Sequence, residues 1–343
     1  MISLASFVRG VACCLAAGCV LLASEAPAQT LQTVRQRGTL ICGVSQGVLG
    51  FSSRSERGEW SGLDVDFCRA LAAAIFNDAG KVQYVPLSAG DRFRALQSKQ
   101  IDVLSRNSTW TLSRETELGL AFAGVTFYDG QGLMLRRARN ITTALDLDGS
   151  KVCVQAGTTT ELNLADYFKT NGMKFTSVSA PSLDDARKAY EDGRCDVLTA
   201  DASALHGERL KTARPDDHDI LPDLLSKEPL GPAVRQDDFQ WFNIARWTSF
   251  AMLDAEEYGV GTETLDEALK SNQPDVKRLV GTEGNFGEQL GLTKDWVARI
   301  VRHVGNYAEV YDRNVGMKSS LRIPRGLNAL WTNGGILYAP PVR

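Results

Sequence analysis

"DRFRALQSKQIDVLSRN" (residues 91–107) and "DARKAYEDGRCDVLTAD" (residues 185–201) are two stretches of this chain that align without a gap. They share an aspartate at the first position, an alanine at the fifth and Asp-Val-Leu from the twelfth. Each has the pattern of a helix, a turn and a buried strand. We interpret them as one helix–turn–strand unit that occurs twice, once in each of two lobes. The alignment puts Asn107 and Asp201 at equivalent strand ends.

Strands alternate with helices on both sides of this repeat. In the first half, "GTLICGVS" (38–45) and "KVQYVPL" (81–87) are strand-like and flank the helical stretch "GLDVDFCRALAAAIF" (62–76). In the second half the order restarts with the strand-like "LDGSKVCVQAG" (147–157) and "KFTSVS" (174–179). This alternation predicts an α/β fold in which each lobe has a mixed, mostly parallel sheet with flanking helices. The strand ends of such sheets are where α/β proteins usually hold ligands.

Residues 1–28 have the composition of a secretory signal peptide. A single positive charge, Arg9, precedes an apolar run, and Ala26-Pro27-Ala28 forms a cleavage site of the small-x-small type. The run is short for a membrane span. We therefore predict that this segment is removed and that the mature, soluble chain begins at Gln29. A lipoprotein signal with Cys19 as the lipidated residue is the alternative.

Composition narrows the function classes. The formal net charge is −3 and 43% of the residues are hydrophobic, so the chain has the composition of a globular protein and no bulk charge for nucleic acid or an anionic membrane. Four cysteines follow the signal segment: Cys42, Cys68, Cys153 and Cys195. An even count in an exported chain predicts disulfides, with three pairings open. The cysteine spacing and the scattered histidines are not those of a zinc site, and we predict no metal or cofactor.

One motif suggests an enzyme. "GVSQG" (43–47) matches the Gly-x-Ser-x-Gly nucleophile elbow of hydrolases, which leads directly into a helix. Here "VLGFSSRSERGEW" (48–60) follows, with the composition of a loop. The motif therefore lacks its structural context, and we predict no catalytic residue.

The polar residues after the repeated strands predict a different site. Arg114 follows a strand end rich in hydroxyl groups, and a guanidinium with N–H and O–H donors is suited to a carboxylate. Asp201 ends the matching strand of the second lobe and would face Arg114 across a cleft. One lobe would then hold a carboxylate and the other an ammonium, which together define an α-amino acid. The alternatives are a surface arginine for Arg114 and a helix-capping role for Asp201.

Four stretches resemble, in order and spacing, the periplasmic solute-binding proteins of amino-acid ABC transporters (solute-binding protein family 3). They are "GLDVDFCRALAAA" (62–74), "DVLSRNSTWTLSRE" (102–115), "VCVQAGTTTE" (152–161) and "GRCDVLTAD" (193–201). The C-terminal "IPRGLNALWTNGGILYAPPVR" (323–343) is similar to the branch that serves general L-amino-acid transporters. The resemblance covers essentially the whole mature chain.

The resemblance implies a role for individual residues. It puts the ligand carboxylate on Arg114, assisted by Thr109 and, from the other lobe, by Thr159. It puts the ligand ammonium on Asp201. Asn107 occupies a position that the family usually fills with a small hydroxyl or backbone-donating residue.

Further residues are expected near the ligand. Thr158 precedes Thr159 at a helix start and either caps that helix or binds an anion. Of the family's aromatic-Pro-Phe signature only Phe51 remains, and Trp110 either walls the pocket or belongs to the core. The polar stretch 52–54 suggests polar and acidic ligands, unless these residues face solvent.

The resemblance also implies the architecture, a two-lobed periplasmic-binding-protein-like fold of type II. Residues 29–137 would begin lobe 1, residues 138–228 would form lobe 2, and residues 229–343 would complete lobe 1 and add a C-terminal extension. A ligand that touches both lobes would favour the closed form. Because a disulfide across the cleft would block this motion, we expect the pairs Cys42–Cys68 and Cys153–Cys195.

The expected function is a periplasmic receptor that binds L-amino acids of broad specificity and delivers them to the membrane permease subunits of an ABC transporter. We expect a monomer without a cofactor or a nucleic-acid partner. The alternatives are an exported enzyme on the same fold, such as a periplasmic dehydratase, and a ligand-sensing domain.

Overall fold

The structure, a computed structural model, describes residues 29–343, so the predicted signal peptide lies outside the described residues. The strands are β1 (Leu40–Val44), β2 (Ser53–Arg54), β3 (Trp60–Ser61), β4 (Val82–Pro86), β5 (Val103–Leu104), β6 (Leu120–Phe122), β7 (Phe127–Asp129), β8 (Gln131–Arg136), β9 (Ser150–Gln155), β10 (Phe175–Ala180), β11 (Val197–Asp201), β12 (His218–Ile220), β13 (Glu228–Leu230) and β14 (Ala233–Arg235). The α-helices are α1 (Thr30–Arg37), α2 (Leu63–Phe76), α3 (Arg92–Gln97), α4 (Leu112–Thr116), α5 (Thr159–Thr170), α6 (Leu183–Glu191), α7 (Ala202–Lys211), α8 (Phe239–Glu257), α9 (Leu265–Ala268), α10 (Pro274–Val280), α11 (Phe286–Gln289), α12 (Trp296–His303) and α13 (Tyr307–Asn314).

The first lobe is built on a five-stranded sheet with the order β4-β1-β5-β14-β6. Strand β1 pairs in parallel with β4 and β5, whereas β14 runs antiparallel to β5 and β6. Nearly every residue of β1 is buried, as expected for a strand that is covered on both faces.

The second lobe repeats this arrangement with the order β10-β9-β11-β8-β12. Strands β10, β9 and β11 are parallel, and β8 is antiparallel to β11 and β12. The predicted repeat corresponds to α3 with β5 in one sheet and α6 with β11 in the other, and each of these strands is third in its sheet. The α/β, two-lobed, mostly parallel fold predicted from the sequence is therefore confirmed.

A two-stranded ribbon joins the lobes. Strand β7 leads into β8 of the second sheet, and the returning strand β13 pairs antiparallel with β7 before the chain enters β14 of the first sheet. The sequence-based boundary at residues 137 and 138 falls at the end of β8, whereas β8 itself pairs inside the second sheet. The difference arises because β8 is almost entirely buried and apolar, so that nothing in its composition marks the crossing before it.

Two disulfides lie one in each lobe, in the pairing that was predicted. Cys42 of β1 is bonded to Cys68 of α2, with a Cα–Cα distance of 6.4 Å. Cys153 of β9 is bonded to Cys195, which precedes β11, with a Cα–Cα distance of 5.7 Å. Each bond ties a sheet to an adjacent element of the same lobe and does not cross the cleft.

The C-terminal part completes the first lobe. Helix α2 is buried on nearly all sides and packs against α8 and α12. Beyond α13 the chain is irregular, as predicted, and lies on the lobe through Arg325, whose guanidinium contacts Glu256 and the ring of Tyr311. Within residues 29–343, no helix combines the length and the apolar composition that crossing a membrane requires.

Candidate functional site

A polar cavity lies between the two lobes. From the first lobe it is lined by Arg92, Arg106, Asn107, Thr109 and Arg114, and from the second by Thr158, Thr159, Thr160 and Asp201. Six of the eight predicted ligand-contacting residues are therefore brought to one place: Asn107, Thr109, Arg114, Thr158, Thr159 and Asp201. These residues come from strand ends and helix starts, which is where a two-lobed α/β protein was expected to place them.

Two close polar contacts between side chains cross the cavity, and one of them is a hydrogen bond. Asn107 Nδ2 donates to Asp201 Oδ2 at 3.2 Å. The hydroxyl oxygens of Thr109 and Thr159 lie 3.2 Å apart. The lobes are thus in direct contact at the cavity, and the structure represents a closed arrangement.

The backbone at Asn107 is held in an unusual conformation. Its φ is 29°, on the positive side that few residues other than glycine adopt. Its N–H donates to Asp64 Oδ2 at 2.8 Å, and Ser105 Oγ donates to the other oxygen of this carboxylate at 3.2 Å. Burial raises the pKa of Asp64 to about 7, while these hydrogen bonds act in the opposite direction. A buried carboxyl group from α2 therefore sets the direction in which the Asn107 side chain points.

Arg114 is fixed at the start of a short helix. The hydroxyl of Thr111 accepts a hydrogen bond from the Arg114 N–H at 3.4 Å and caps α4. The guanidinium donates to the carbonyl oxygen of Thr109 and lies 4.9 Å from the centroid of the Phe93 ring. Burial lowers the pKa of Arg114 to about 10, so that the group is still a cation at neutral pH. The alternative of a surface arginine is wrong, because only 7% of Arg114 is exposed.

Asp201 ends β11 and does not cap α7, since its side chain makes no capping hydrogen bond to the helix. Its carboxyl group accepts from Asn107 instead. Burial raises its pKa well above the usual value, and the nearby carboxyl groups of Asp129 and Glu228 act in the same direction. Burial likewise raises the pKa of Asp129 to about 6. A cation that enters this region would be surrounded by carboxyl oxygens.

The start of α5 contributes the threonines of the second lobe. Thr158 precedes the helix but makes no capping hydrogen bond; its hydroxyl donates to the carbonyl oxygen of Gln155 at 2.8 Å. Thr159 donates to Glu228 Oε2 at 3.0 Å. The free N–H groups at the first turn of this 12-residue helix border the cavity, and a helix N-terminus is suited to an anion.

Glu228 is a buried polar residue next to the candidate site that the sequence analysis missed. It is 1% exposed and lies at the start of β13, in the ribbon between the lobes. Its carboxylate accepts from Thr109 of the first lobe, and from Thr159 and, at 2.7 Å, Asn163 of the second. Glu228 therefore links residues of both lobes behind two of the threonines that line the cavity. Its flanking sequence has no periodicity that would have indicated this position.

Phe51 and Trp110 are the two predicted residues that the structure does not bring to the cavity. Phe51 is 1% exposed in the core, with its ring edge against Phe127 at a centroid distance of 5.3 Å. Trp110 stacks on Phe122 at 5.8 Å, so the alternative of a core position fits it better. The polar stretch 52–54 does not line the cavity either. An aromatic ring near a polar loop packs wherever an apolar surface is available, and the sequence does not show which surface that is.

Comparison with known proteins agrees with this geometry. The sequence profile described as "Bacterial extracellular solute-binding proteins, family 3" matches residues 40–280. The general L-amino acid-binding periplasmic protein AapJ of Rhizobium johnstonii is 54% identical over 323 residues, which cover 94% of this chain and 95% of that protein. The glutamate/glutamine/aspartate/asparagine-binding protein BztA of Rhodobacter capsulatus is 47% identical over 324 residues, which cover 94% of this chain and 96% of that protein.

A solved structure extends the similarity to three dimensions. It is an ABC transporter/periplasmic binding protein from Brucella ovis with glutathione bound, 53% identical to this chain. The TM-score is 0.91, and the match covers 92% of this chain and 100% of that chain. The profile, these relatives and the shared fold lead to one conclusion. The chain belongs to the bacterial extracellular solute-binding proteins of family 3.

Proposed function

We propose that this protein is a periplasmic receptor that binds L-amino acids in the cavity between its lobes and delivers them to the membrane permease subunits of an ABC transporter. The observation that carries the proposal is that the guanidinium of Arg114 and the carboxyl group of Asp201 line one cavity from opposite lobes. An α-amino acid has the complementary charges on one carbon atom. We call Arg114, Thr109, Thr159 and Asp201 the zwitterion clamp.

Each member of the zwitterion clamp has a defined task in this proposal. Arg114 donates to the ligand carboxylate in a geometry that suits two parallel hydrogen bonds. The hydroxyls of Thr109 and Thr159, one from each lobe, donate to Glu228 in this structure and would rotate their protons towards the same carboxylate when the ligand binds. Asp201 accepts from the ligand ammonium. Burying both ligand charges is favourable only when each is paired, so the clamp selects for a free α-amino and a free α-carboxylate group.

The proposed motion follows from the division of the clamp between the lobes. We assign residues 29–126 and 231–343 to lobe 1 and residues 130–227 to lobe 2, with β7 and β13 as the hinge. A ligand held by Arg114 alone would not distinguish open from closed forms. A ligand that also contacts Thr159 and Asp201 favours the closed form by the free energy of those contacts. This closed form is what the permease subunits would recognise.

The names of the relatives support the ligand class. One similar protein is named for general L-amino acids and another for glutamate, glutamine, aspartate and asparagine. The proposed role needs no catalytic group, and assaying the purified protein for conversion of each bound ligand would distinguish it from an enzyme on the same fold.

The test is a thermal-shift screen of the mature protein, residues 29–343, against the twenty L-amino acids and their D-forms. A ligand that binds only the folded state raises the melting temperature. We expect several L-forms to raise it and the D-forms to have no effect, because a site that fixes the directions of the amino group, the carboxylate and the side chain distinguishes the two enantiomers. A screen in which no amino acid raises the melting temperature would refute the proposal.

A second ligand class is favoured by the shape of the cleft. The polar cavity continues into an outer cavity, and the two share Val48, Arg106, Gln155 and Leu183 as lining residues. Glutathione, present in the Brucella ovis structure, has a free α-amino and α-carboxylate group at its γ-glutamyl end. The clamp would hold this end while the remainder extends past Arg106. Adding glutathione to the same screen, alone and in competition with the best amino acid, tests this candidate.

A further inference from the structure

Two buried arginines line the polar cavity and have no part in the zwitterion clamp. Arg92, at the start of α3, is 2% exposed, and Arg106, just beyond β5, is 6% exposed. Both come from the first lobe, as Arg114 does, so three guanidinium groups border one small space. Arginine is almost never fully buried without a partner, so this arrangement requires an explanation.

Neither side chain is fully satisfied by the protein. Arg106 Nε donates to the carbonyl oxygen of Leu87 at 3.0 Å, and Arg92 Nη1 donates to the carbonyl oxygen of Ala89. Arg92 Nε is buried and has no hydrogen-bond partner among the residues that the structure describes. Each guanidinium is therefore anchored by a backbone carbonyl, while its other N–H groups are left for the cavity.

The positive charges are not neutralised by direct ion pairs. Within residues 29–343, no carboxylate oxygen lies within 4.0 Å of a nitrogen of Arg92, Arg106 or Arg114. The acidic groups that act on these arginines are already engaged. Asp64 accepts from Ser105 and from the Asn107 N–H, and Glu228 accepts from Thr109 and Thr159. Asp201 is the proposed partner of the ligand ammonium. Burial and the neighbouring guanidinium groups of Arg106 and Arg114 lower the pKa of Arg92 well below its usual value. Burial lowers the pKa of Arg106 to about 10, so this group is a cation at neutral pH.

We propose that Arg92 and Arg106 form a subsite for a second carboxylate, so that the preferred ligands are L-amino acids with acidic side chains. This inference rests on the proposed function, because it takes the α-carboxylate to be bound by Arg114 and the ammonium by Asp201. The ligand side chain then points towards Arg92 and Arg106, whose free N–H groups donate to its carboxylate. A rigidly held pair of guanidinium groups favours an anion over a neutral isostere because the donors carry charge and need no reorganisation.

The same geometry explains why other ligands remain possible. Arg106 lines the outer cavity as well as the polar cavity. A ligand side chain that does not contact the subsite is therefore not obstructed by Arg106. A side-chain amide offers a carbonyl oxygen to the same donors but no charge. We therefore expect glutamate and aspartate to bind more tightly than glutamine and asparagine, and these in turn more tightly than apolar amino acids.

The experiment is isothermal titration calorimetry of the mature protein with four ligands: L-glutamate, L-glutamine, L-aspartate and L-asparagine. For the wild-type protein we expect a dissociation constant about tenfold or more lower for each acid than for its amide, as one charge-assisted hydrogen bond implies. Arg92→Gln and Arg106→Gln should each reduce this preference about tenfold, mainly by weakening the binding of the acids.

Arg94→Gln is the matched control, because Arg94 lies on α3 beside Arg92 but its side chain is 78% exposed and pairs with Asp91. It should leave all four dissociation constants unchanged. Melting temperatures of the unliganded variants separate a loss of binding from a loss of fold. The conservative variants Arg92→Lys and Arg106→Lys keep the charge and should retain part of the preference for acids.

The outcomes are distinguishable. Equal wild-type affinities for acid and amide would overturn the subsite, as would variants that weaken both ligands equally, because a structural arginine has that effect. If no amino acid binds the wild-type protein, the proposed function itself fails and the subsite fails with it. Binding of all four ligands without an acid preference would leave the receptor function standing and refute only the subsite.

Discussion

The Asn107 side-chain amide donates a hydrogen bond to the Asp201 carboxyl group across the cleft, at 3.2 Å. The two residues come from the equivalent ends of the repeated unit, so the two copies of this unit contact each other at the cavity. Asn107 is in turn oriented by Asp64 through its backbone N–H. Because Asp201 is positioned by the other lobe, its orientation is correct for a ligand only when the lobes are closed.

We expect Asp201→Asn to weaken amino-acid binding by about two to three orders of magnitude, because the ligand ammonium loses its only charged partner in the clamp. The fold should be retained, since Asn is isosteric and the Asp201 side chain does not cap α7. Calorimetry with L-glutamate measures the effect. Asp192→Asn is the control, as Asp192 is exposed at the end of α6 and should leave the affinity unchanged. Comparable binding by both variants would exclude Asp201 from the clamp.

Amino-acid affinity should increase with pH. In the free protein, burial and the carboxyl groups of Asp129 and Glu228 raise the pKa of Asp201. A bound ammonium favours the ionised form and lowers that pKa again, so binding releases a proton. The dissociation constant should therefore fall as the pH rises towards the pKa of the free protein, by at most about tenfold per pH unit for one proton.

Calorimetry between pH 5 and pH 8, in buffers with different ionisation enthalpies, detects the released proton directly. The ligand ammonium and Arg114 stay protonated over this range and do not contribute to the proton release. A pH-independent affinity without proton release would show that Asp201 is already ionised in the free protein.

Asp254 should make the stability of the protein depend on pH. It is buried in α8, its Oδ2 has no hydrogen-bond partner among the described residues, and burial raises its pKa from 3.8 to about 7. A carboxyl group with a raised pKa favours the folded state while it is protonated, and this contribution is lost as the pH rises from about 4 to about 7.

The variant Asp254→Asn removes this titration. Its melting temperature should exceed that of the wild-type protein by a few degrees at pH 8, and the difference should shrink at pH 5. Asp266→Asn, at an exposed position of α9, should not change the pH profile. Parallel profiles for Asp254→Asn and the wild-type protein would mean that Asp254 is solvated in the folded state.

The disulfides should affect stability and leave ligand binding unchanged. Replacing Cys153 and Cys195 together by alanine should lower the free energy of unfolding by about 2–4 kcal/mol, because a 42-residue loop regains its freedom in the unfolded chain. Urea denaturation measures this loss, and calorimetry measures the affinity. Because the bond lies within one lobe, a large loss of affinity in a folded variant would mean that it also constrains the hinge.

The C-terminal extension should stabilise the hinge. The Asn328 side chain accepts from the Tyr128 N–H at 2.7 Å and donates to the Tyr128 carbonyl oxygen at 3.0 Å. Both backbone groups of this β7 residue are therefore hydrogen-bonded. Asn328→Leu leaves both backbone groups unpaired and should cost about 2–4 kcal/mol, at roughly 1–2 kcal/mol for each group. Urea denaturation is the measurement, with Asn333→Leu at an exposed position as the control. Equal stability of the two variants would show that β7 does not depend on the extension.

Much of the molecule follows from local sequence patterns. The repeated "DVLS" and "DVLT" strands, with their preceding helices, predicted two similar sheets, because alternation and helix periodicity report which residues are buried. Arg114 and Asp201 follow from those strand ends, whereas Thr109 and Thr159 were named from the family resemblance. All four residues line one cavity. Local pattern is sufficient here because the carboxyl ends of neighbouring parallel strands meet at one edge of a sheet.

The tertiary structure alone decided what surrounds the clamp. Arg92 and Arg106 are polar residues whose local sequence does not indicate burial, and they are buried at the cavity only because distant elements cover them. Glu228 is buried beside the cavity, where it accepts hydrogen bonds from Thr109 and Thr159. Phe51 lies in the core because Phe127 provides an apolar surface that the sequence does not place beside it. Sequence periodicity identifies the buried face of an element but not the element that covers it. The specificity of a cleft between two lobes for the side chain of its ligand therefore depends on contacts between residues that are far apart in the chain.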